Sequence, residues 1–319
     1  MTAGAFLFCR TYTDGVTDAA AARVSAVVVH YKTPQETAEA ARAVAVTAPE
    51  AEVVVVDNAS GDAIGQRLSG EAPAARLVVE VENCGYGAAC NRGARETSHE
   101  YLLFLNSDAV IRAGAVETLV SALDRDSGAA AVGPRLENPD GTLQPSILRL
   151  PTLWRIVCES SGLAFLAAGR SPFRGHSASR EDHSSLQTVE CVKGAALLVR
   201  RSAFEAVGGF DERFFLYAEE CDLAARLRRG GWRILFEPAA RVVHRGGASG
   251  GDAMFGQLHE GLAQYVARHQ GKTTAAIART VMRAGATARY ALSLATPGER
   301  GRVRRSRYRA ALGGPPRRA

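Results

Sequence analysis

A chain of 319 residues with 46% hydrophobic and 23% charged residues can build one large α/β domain or two smaller ones, and its composition excludes a fibrous or wholly disordered protein. No run approaches the roughly 20 apolar residues that span a bilayer. The net charge of +6 is local, because residues 298–319 hold eight Arg against one Glu and leave the rest of the chain near neutral.

The start has a short apolar patch, Ala5 to Cys9, with no basic stretch before it. That argues against a signal peptide and predicts a poorly ordered leader over residues 1–22. Val24 to His30 then reads as a strand, and Pro34 opens an Ala-rich helix, where a first-turn proline is well placed. Val53 to Val56 is a second strand ending in Asp57-Asn58. Arg76 to Val81 is a third, followed by the turn Asn83 to Gly87 and a helix to about Thr97. Five apolar residues, Tyr101 to Leu105, read as a central strand that stops at Asn106-Ser107-Asp108, with a helix from Gly114 to Leu123 after it.

This βαβα succession implies a doubly wound parallel sheet. Ligands of such sheets bind beyond the carboxyl ends of the strands. His30-Tyr31, Asp57-Asn58, Asn83 to Asn91 and Asn106 to Asp108 are therefore expected on one edge. There Asp108 can hold a divalent cation and through it a diphosphate, or it can cap the next helix. Asp57 can accept from a nucleobase or ribose, or cap its own helix. Gly85-Tyr86-Gly87 does not extend to a dinucleotide fingerprint, since Cys90 stands where the third glycine belongs.

The second half changes character. A short strand at Ala130 to Pro134 precedes the turn Asn138 to Gly141, helical spacing over 151–168 and a polar loop over Ser171 to Ser185. A strand at Val189 to Val199 and a helix at Ser202 to Val207 follow, and Gly208-Gly209 breaks that helix. Ala218 to Arg229 is helical. Arg233 to Phe236 and Arg241 to His244 read as two short strands, and residues 252–294 as helix suited to a surface. Glu219, Glu220 and Asp222 crowd three carboxylates into one turn, which is repulsive unless a cation, a substrate or basic neighbours offset it. A carboxylate beside Phe214 to Tyr217 can have a raised pKa and act as a general base; the other reading is a solvated acidic face. His244 is a structural histidine or a metal partner for Asp108. The six cysteines form no Cys-x-x-Cys pair, which fits small buried hydrophobes in a reducing cytoplasm. The basic tail has Tyr308 as its one aromatic, so it offers nucleic-acid bases little to stack on; it reads as a solvated, disordered tail or as an anchor on an anionic membrane surface.

Taken in order, VVVVDNASGD at 53–62, NCGYGAACNRGA at 83–94, YLLFLNSDAVI at 101–111, GPRLENPDGTLQPS at 133–146, the run from Val192 to Arg233 and ARVVHRGGAS at 240–249 resemble the glycosyltransferase family 2 enzymes of GT-A fold, in their rhamnosyltransferase-like branch. The resemblance spans residues 24 to about 250. It implies a GT-A domain over 23–270, with a nucleotide-sugar-binding half at 23–128 and an acceptor half at 129–250, and a basic helical extension at 271–319. It further implies an inverting, metal-dependent transfer from a dTDP- or UDP-sugar, a deoxyhexose such as rhamnose, to a saccharide or polyprenyl-linked acceptor in envelope glycan synthesis. The location implied is cytoplasmic, peripheral on the inner face of the plasma membrane. By the same resemblance, Asp108 and His244 hold Mg2+ or Mn2+. His30, Tyr31, Asp57, Asn58, Asn83, Gly87, Asn91, Asn106 and Ser107 contact the nucleotide sugar, and Glu220, with Glu219 and Asp222 beside it, supplies the base. Lys193, Gly194 and Trp232 fall on the acceptor side. Asn106 replaces the usual first carboxylate of the metal motif, and Glu220 stands where Asp is usual. A nucleotidyltransferase and a non-catalytic sugar-nucleotide scaffold are the competing readings.

Overall fold

Both faces of the leading strands are covered, which is why they appear in the sequence as unbroken apolar runs. The computed structural model describes residues 19–167, 170–178, 180–246 and 254–313; most of the expected leader, 1–18, lies outside them. The first half runs β1 (Val24–His30), α1 (Pro34–Thr47), β2 (Glu52–Asp57), α2 (Ile64–Glu71), β3 (Arg76–Val79), α3 (Tyr86–Arg95), β4 (Tyr101–Asn106), β5 (Ala109–Ile111) and α4 (Ala115–Arg125). Alternate residues of these strands enter two cores. Val27, Val29, Leu102 and Phe104 belong to one, and Ala26, Val28, Leu103 and Leu105 to the other. Burying a valine or leucine completely stabilises by about 1.5–3 kcal/mol, so this double burial fixes the register.

The second half continues with β6 (Ala129–Glu137), β7 (Leu143–Gln144), β8 (Ile147–Leu148), α5 (Leu153–Ser161), α6 (Leu163–Leu166), β9 (Gln187–Val189), β10 (Cys191–Val192), β11 (Ala196–Arg200), α7 (Arg201–Ala206), α8 (Glu219–Arg229) and β12 (Arg233–His244). Three helices close the described chain: α9 (Met254–Gln270), α10 (Lys272–Leu294) and α11 (Gly298–Gly313). The strands join in one sheet of order β3-β2-β1-β4-β11-β6-β12-β5, with β7 on β6 and β9 on β12, while β8 and β10 pair separately. β1 to β4 are parallel, and β11 is antiparallel to both β4 and β6. The sheet is thus mostly parallel and α/β, as expected.

Three expectations change. The two strands foreseen at 233–236 and 241–244 are one strand, whose pairing with β6 slips between Glu237 and Arg241 around Pro238. The strand foreseen at 189–199 is broken into three pieces by turns at Glu190 and Lys193-Gly194. Helix α9 is not a surface helix. Leu262, Ala263, Tyr265 and Val266 enter the core, as do Ala275, Ala278 and Met282 of α10. Only the outer side of α10 fits the surface reading.

Candidate active site at the carboxyl edge of the sheet

His30, Asp57 and Asn106 end β1, β2 and β4 side by side, because those strands are parallel and in near-level register. His30 is fully buried; its Nδ1 lies 2.8 Å from Thr37 Oγ1 and its Nε2 3.0 Å from Asp62 Oδ1, so it ties α1 to the loop after β2. Asp57 accepts from the Ser60 amide at 2.9 Å. Tyr31, beside them, is half-buried under the Lys32 ammonium. Asn58 is a brace, donating to Asn83 Oδ1 at 3.0 Å and accepting from the Cys84 amide at 3.0 Å. Ser107 accepts from Thr33 Oγ1 at 3.0 Å.

Next along the edge, His244 at the end of β12 faces the acidic turn. Its Nε2 lies 3.3 Å from Asp108 Oδ1 and 3.5 Å from Asn106 Nδ2. The Nδ1–H donates to Gln144 Oε1 at 2.7 Å. The Gln144 amide is fixed in turn, since its Nε2 donates to the His244 carbonyl and to Asn138 Oδ1, both at 3.0 Å. An imidazole held this way presents a lone pair at Nε2, the arrangement that metal-bound histidines use. No group of three or more His, Cys, Asp or Glu gathers as a metal centre among the described residues. One carboxylate and one imidazole nevertheless suit Mg2+ or Mn2+ in a site completed by substrate phosphates and water.

The carboxylates of α8 stand close by. Asn106 donates its amide to the Ala195 carbonyl at 3.0 Å, and the adjoining Gly194 lies against the Glu220 side chain. Tyr217 and Ala218, just before the helix, both have left-handed backbone, at φ 69° and 68°. Neither is glycine, so each costs roughly 1–2 kcal/mol. Strain of this kind clusters where function holds the chain in place. The loop leading there is anchored by Phe210, whose ring is 5.1 Å from Phe104 and 5.6 Å from Phe204. Gly85 is required where this loop crosses α3, because a Cβ there would fall 2.5 Å from the Phe215 carbonyl. Gly87 packs closely on Phe210, where a Cβ would fall 3.1 Å from its side chain, and stands at van der Waals distance from Glu219. On the far side, Gly261 of α9 presses on the Tyr217 carbonyl, where a Cβ would fall 2.3 Å away.

Burial pushes the Glu219 carboxyl well above the usual carboxylate range, and the neighbouring Glu220 adds to it. Burial also raises Glu220, while the Gly194 amide and the Lys193 ammonium pull back. Lys193, half-buried, is itself lowered by burial. One oxygen of each glutamate, Oε2, is shut off from solvent without a hydrogen-bond partner. Such an acceptor-only group is costly unless a proton or a ligand reaches it. Burial raises the Tyr217 hydroxyl to about 12, with contributions from the nearby Glu219, Glu220 and Asp108 carboxylates.

Other expected residues lie apart. Asp222 is fully buried in an ion-pair cluster, 2.7 Å from Arg226 Nε, 2.7 Å from Arg268 Nε and 2.8 Å from His269 Nε2; it secures α8 to α9. Trp232 follows α8 and precedes β12, which puts it at the amino edge of the sheet, a full helix length from Glu220. Asn91 holds the 208–212 loop through the Phe210 backbone and Glu212. It also lines a cleft of about 680 Å³ with Arg201, Arg226 and Arg268, separate from the carboxyl edge. Gln144 and the Tyr217-Ala218 pair lie at the candidate site and were not expected there. Gln144 carries no pattern in the sequence to mark it, whereas Gly85 falls within the Asn83 to Asn91 cluster expected on this edge.

Comparison with known proteins agrees with this geometry. Residues 25–208 match the model of "Glycosyl transferase family 2". The chain belongs to that family. This family 2 chain is 34% identical over 203 residues to the N-acetylglucosaminyl-diphospho-decaprenol L-rhamnosyltransferase of Mycobacterium tuberculosis, a match covering 60% of this chain and 66% of that one. It therefore spans just under two thirds of that relative. In structure it is similar to a mannosyltransferase of Pyrobaculum calidifontis solved with GDP-Man and Mn2+, at TM-score 0.55, 18% identity and coverage of 91% of this chain and 85% of the other. GalNAc-T7, solved with UDP, GalNAc and Mn2+, gives TM-score 0.55 at 15% identity, covering 90% of this chain and 54% of the other. Both likenesses place the fold in the GT-A class.

Proposed function

We propose that this family 2 chain is an inverting glycosyltransferase that moves a sugar from a nucleoside-diphosphate donor to an acceptor hydroxyl. One observation carries the reading: a glutamate pair with buried, partnerless oxygens, entered through a strained turn at Tyr217-Ala218, stands next to an edge where Asp108 and His244 face each other. The metal-type donor set and the desolvated carboxylate are the two groups an in-line sugar transfer requires.

The Glu220 carboxylate takes the proton from the acceptor hydroxyl as that oxygen attacks the anomeric carbon. The bond from the anomeric carbon to the diphosphate breaks on the opposite face, and its electron pair leaves with the nucleoside diphosphate. Burial raises the Glu220 carboxyl above the usual carboxylate range, which suits a general base, and the Lys193 ammonium offsets part of that rise. Asp57, Asn58 and Asn83 frame the nucleoside, and Asn106 and Ser107 line the path to the diphosphate. Mg2+ or Mn2+ held by Asp108 and His244 would neutralise charge on the departing diphosphate. Glu219 is the more buried of the two, and burial pushes its carboxyl well above the usual carboxylate range.

For the donor we favour a dTDP- or UDP-linked deoxyhexose such as rhamnose, and for the acceptor a saccharide or polyprenyl-linked saccharide of the cell envelope. The mycobacterial relative supports both, since its name specifies L-rhamnose and a decaprenyl-diphosphate-linked sugar. No described helix is long and apolar enough to cross a membrane, and a peripheral position on the inner face of the plasma membrane fits that. Family membership weighs against a nucleotidyltransferase. Thermal stabilisation by UDP, dTDP, GDP, CMP and ATP, each with and without Mn2+ or Mg2+, tests the reading, because a ligand of the folded state must raise its stability. One diphosphate should stabilise the chain only with metal, and Asp108→Ala should abolish the effect. Stabilisation by none of them would overturn the proposal.

A further inference from the structure

The exposed apolar side chains are unevenly distributed. Among the described residues eleven large hydrophobics are exposed, and seven of them lie on α5, α6, α10 and α11. The most prominent there are Phe165 and Leu166, each 77% exposed, and Leu292 at 73%. Single exposed apolar residues need no explanation, but a cluster on neighbouring elements marks a docking surface.

The contacts of α10 set the helices that carry these residues side by side. On one flank Arg289 donates to the Glu159 carbonyl at the end of α5, and Gly285 touches Ser160, one turn before Phe165 and Leu166. On the other flank Arg305 of α11 donates to the Ser293 carbonyl at 2.8 Å and Arg309 to Tyr290 Oη at 3.4 Å. Ala275, Ala278, Met282 and Ala286 point into the molecule. The remaining side of α10 faces solvent and carries Ile277 and Leu292, and its spacing of three and four residues keeps it free of charge through Thr280, Ala284, Ala288 and Ala291. Beside it runs α11, where Arg300, Arg302, Arg304, Arg307 and Arg309 are exposed and Glu299 is the single acidic residue.

We propose that α6, the outer side of α10 and the arginines of α11 form one face that seats on a membrane surface bearing anionic lipid headgroups. Charge decides the occupant. A second copy of the chain would bring two arginine-rich helices together, whereas anionic headgroups neutralise them, each arginine being worth about fivefold in binding near such a surface. An apolar side flanked by cations is the pattern of a helix lying in the plane of the interface. The proposal deepens the lipid-linked acceptor reading, since such an acceptor resides in a membrane, yet none of these residues takes part in the reaction.

The test is co-sedimentation of the full chain with vesicles of phosphatidylcholine alone and with added phosphatidylglycerol. Binding should require phosphatidylglycerol and weaken with salt. It should fall at least about tenfold in the Phe165→Ser, Leu166→Ser double variant and in the Arg300→Ser, Arg302→Ser, Arg304→Ser triple variant, with melting temperature and nucleotide-induced stabilisation unchanged. Absence of binding to the anionic vesicles would overturn the proposal. So would binding indifferent to the apolar variant, or a dimer in solution that Leu292→Ser disperses. Transfer to a detergent-dispersed polyprenyl-linked acceptor separates the two readings: transfer without vesicle binding sinks the docking face alone, and vesicle binding without transfer sinks the acceptor alone.

Discussion

Gln144 and His244 are joined twice, through the imidazole Nδ1–H to Gln144 Oε1 at 2.7 Å and through Gln144 Nε2 to the His244 carbonyl at 3.0 Å. The second bond fixes which amide atom faces the ring, so Nδ1–H donates to Gln144 and Nε2 is the ring atom that faces Asp108. Gln144→Ala should therefore raise the Mn2+ concentration needed for half-maximal nucleotide-dependent stabilisation by roughly 10–100-fold, the usual cost of losing a partner behind a metal-binding histidine. The melting temperature without ligand should hardly move. An unchanged Mn2+ requirement would remove His244 from the metal site.

The glutamate pair separates by role. Glu220→Gln should lower kcat by about 10²–10⁴-fold, the range for a lost general base, with KM for the donor little changed. Glu219→Gln should cost less. Steady-state kinetics of both variants with one donor and acceptor decides between them, and the reverse order would make Glu219 the base.

The same pair sets a pH dependence. In the folded protein Glu219 is raised above its ordinary value. Above the unfolded carboxyl pKa of about 4.3 the folded state still holds a proton that the unfolded chain has released. This contribution to stability is complete at low pH and is lost as pH rises through the folded value. Glu219→Gln should melt higher than the parent chain at pH 8, and the gap should close toward pH 5. A gap independent of pH would show that Glu219 is not the titrating group.

Relieving the backbone before α8 has an opposite effect on stability and on activity. Ala218→Gly should stabilise the chain by about 0.5–1 kcal/mol in urea denaturation, because glycine accepts φ 68° without strain. It should also lower kcat, since the start of α8 is no longer held in one position. Loss of stability would mean that the left-handed turn carries no strain.

Asp222 is expected to matter for folding and not for chemistry. Asp222→Asn leaves Arg226 and Arg268 facing a neutral group in a buried cluster, and a broken buried ion pair of this kind costs about 3–5 kcal/mol. Urea denaturation should register that loss. The Mn2+ requirement of the surviving folded fraction should match that of the parent chain.

Much of this was legible in the sequence, for physical reasons. Parallel strands covered on both faces must be apolar throughout, so Val53 to Val56 and Tyr101 to Leu105 announce themselves, and parallelism then forces Asp57 and Asn106 to one edge. Trp232 lies at the amino edge, a position the motif could not give, because a motif fixes order along the chain but not which end of a helix faces the crevice. Asp222 shares a helical face with Glu219, yet its partners Arg268 and His269 arrive some 46 residues later and have no local signature. Gln144 is a neutral amide on a two-residue strand, where neither charge nor periodicity marks it.

The contact between Gly261 and the Tyr217 carbonyl bears on where this enzyme can be cut. The stretch matched by the family model stops at residue 208, before either glutamate. A fragment trimmed to that stretch would lack the turn and both glutamates altogether, and one trimmed to the last strand of the sheet would lose the wall against which the left-handed turn is pressed. Helix α9 is thus to the catalytic loop what a backing plate is to a spring: a chain cut after that strand would retain its sheet and its donor edge while the two glutamates drifted out of aim.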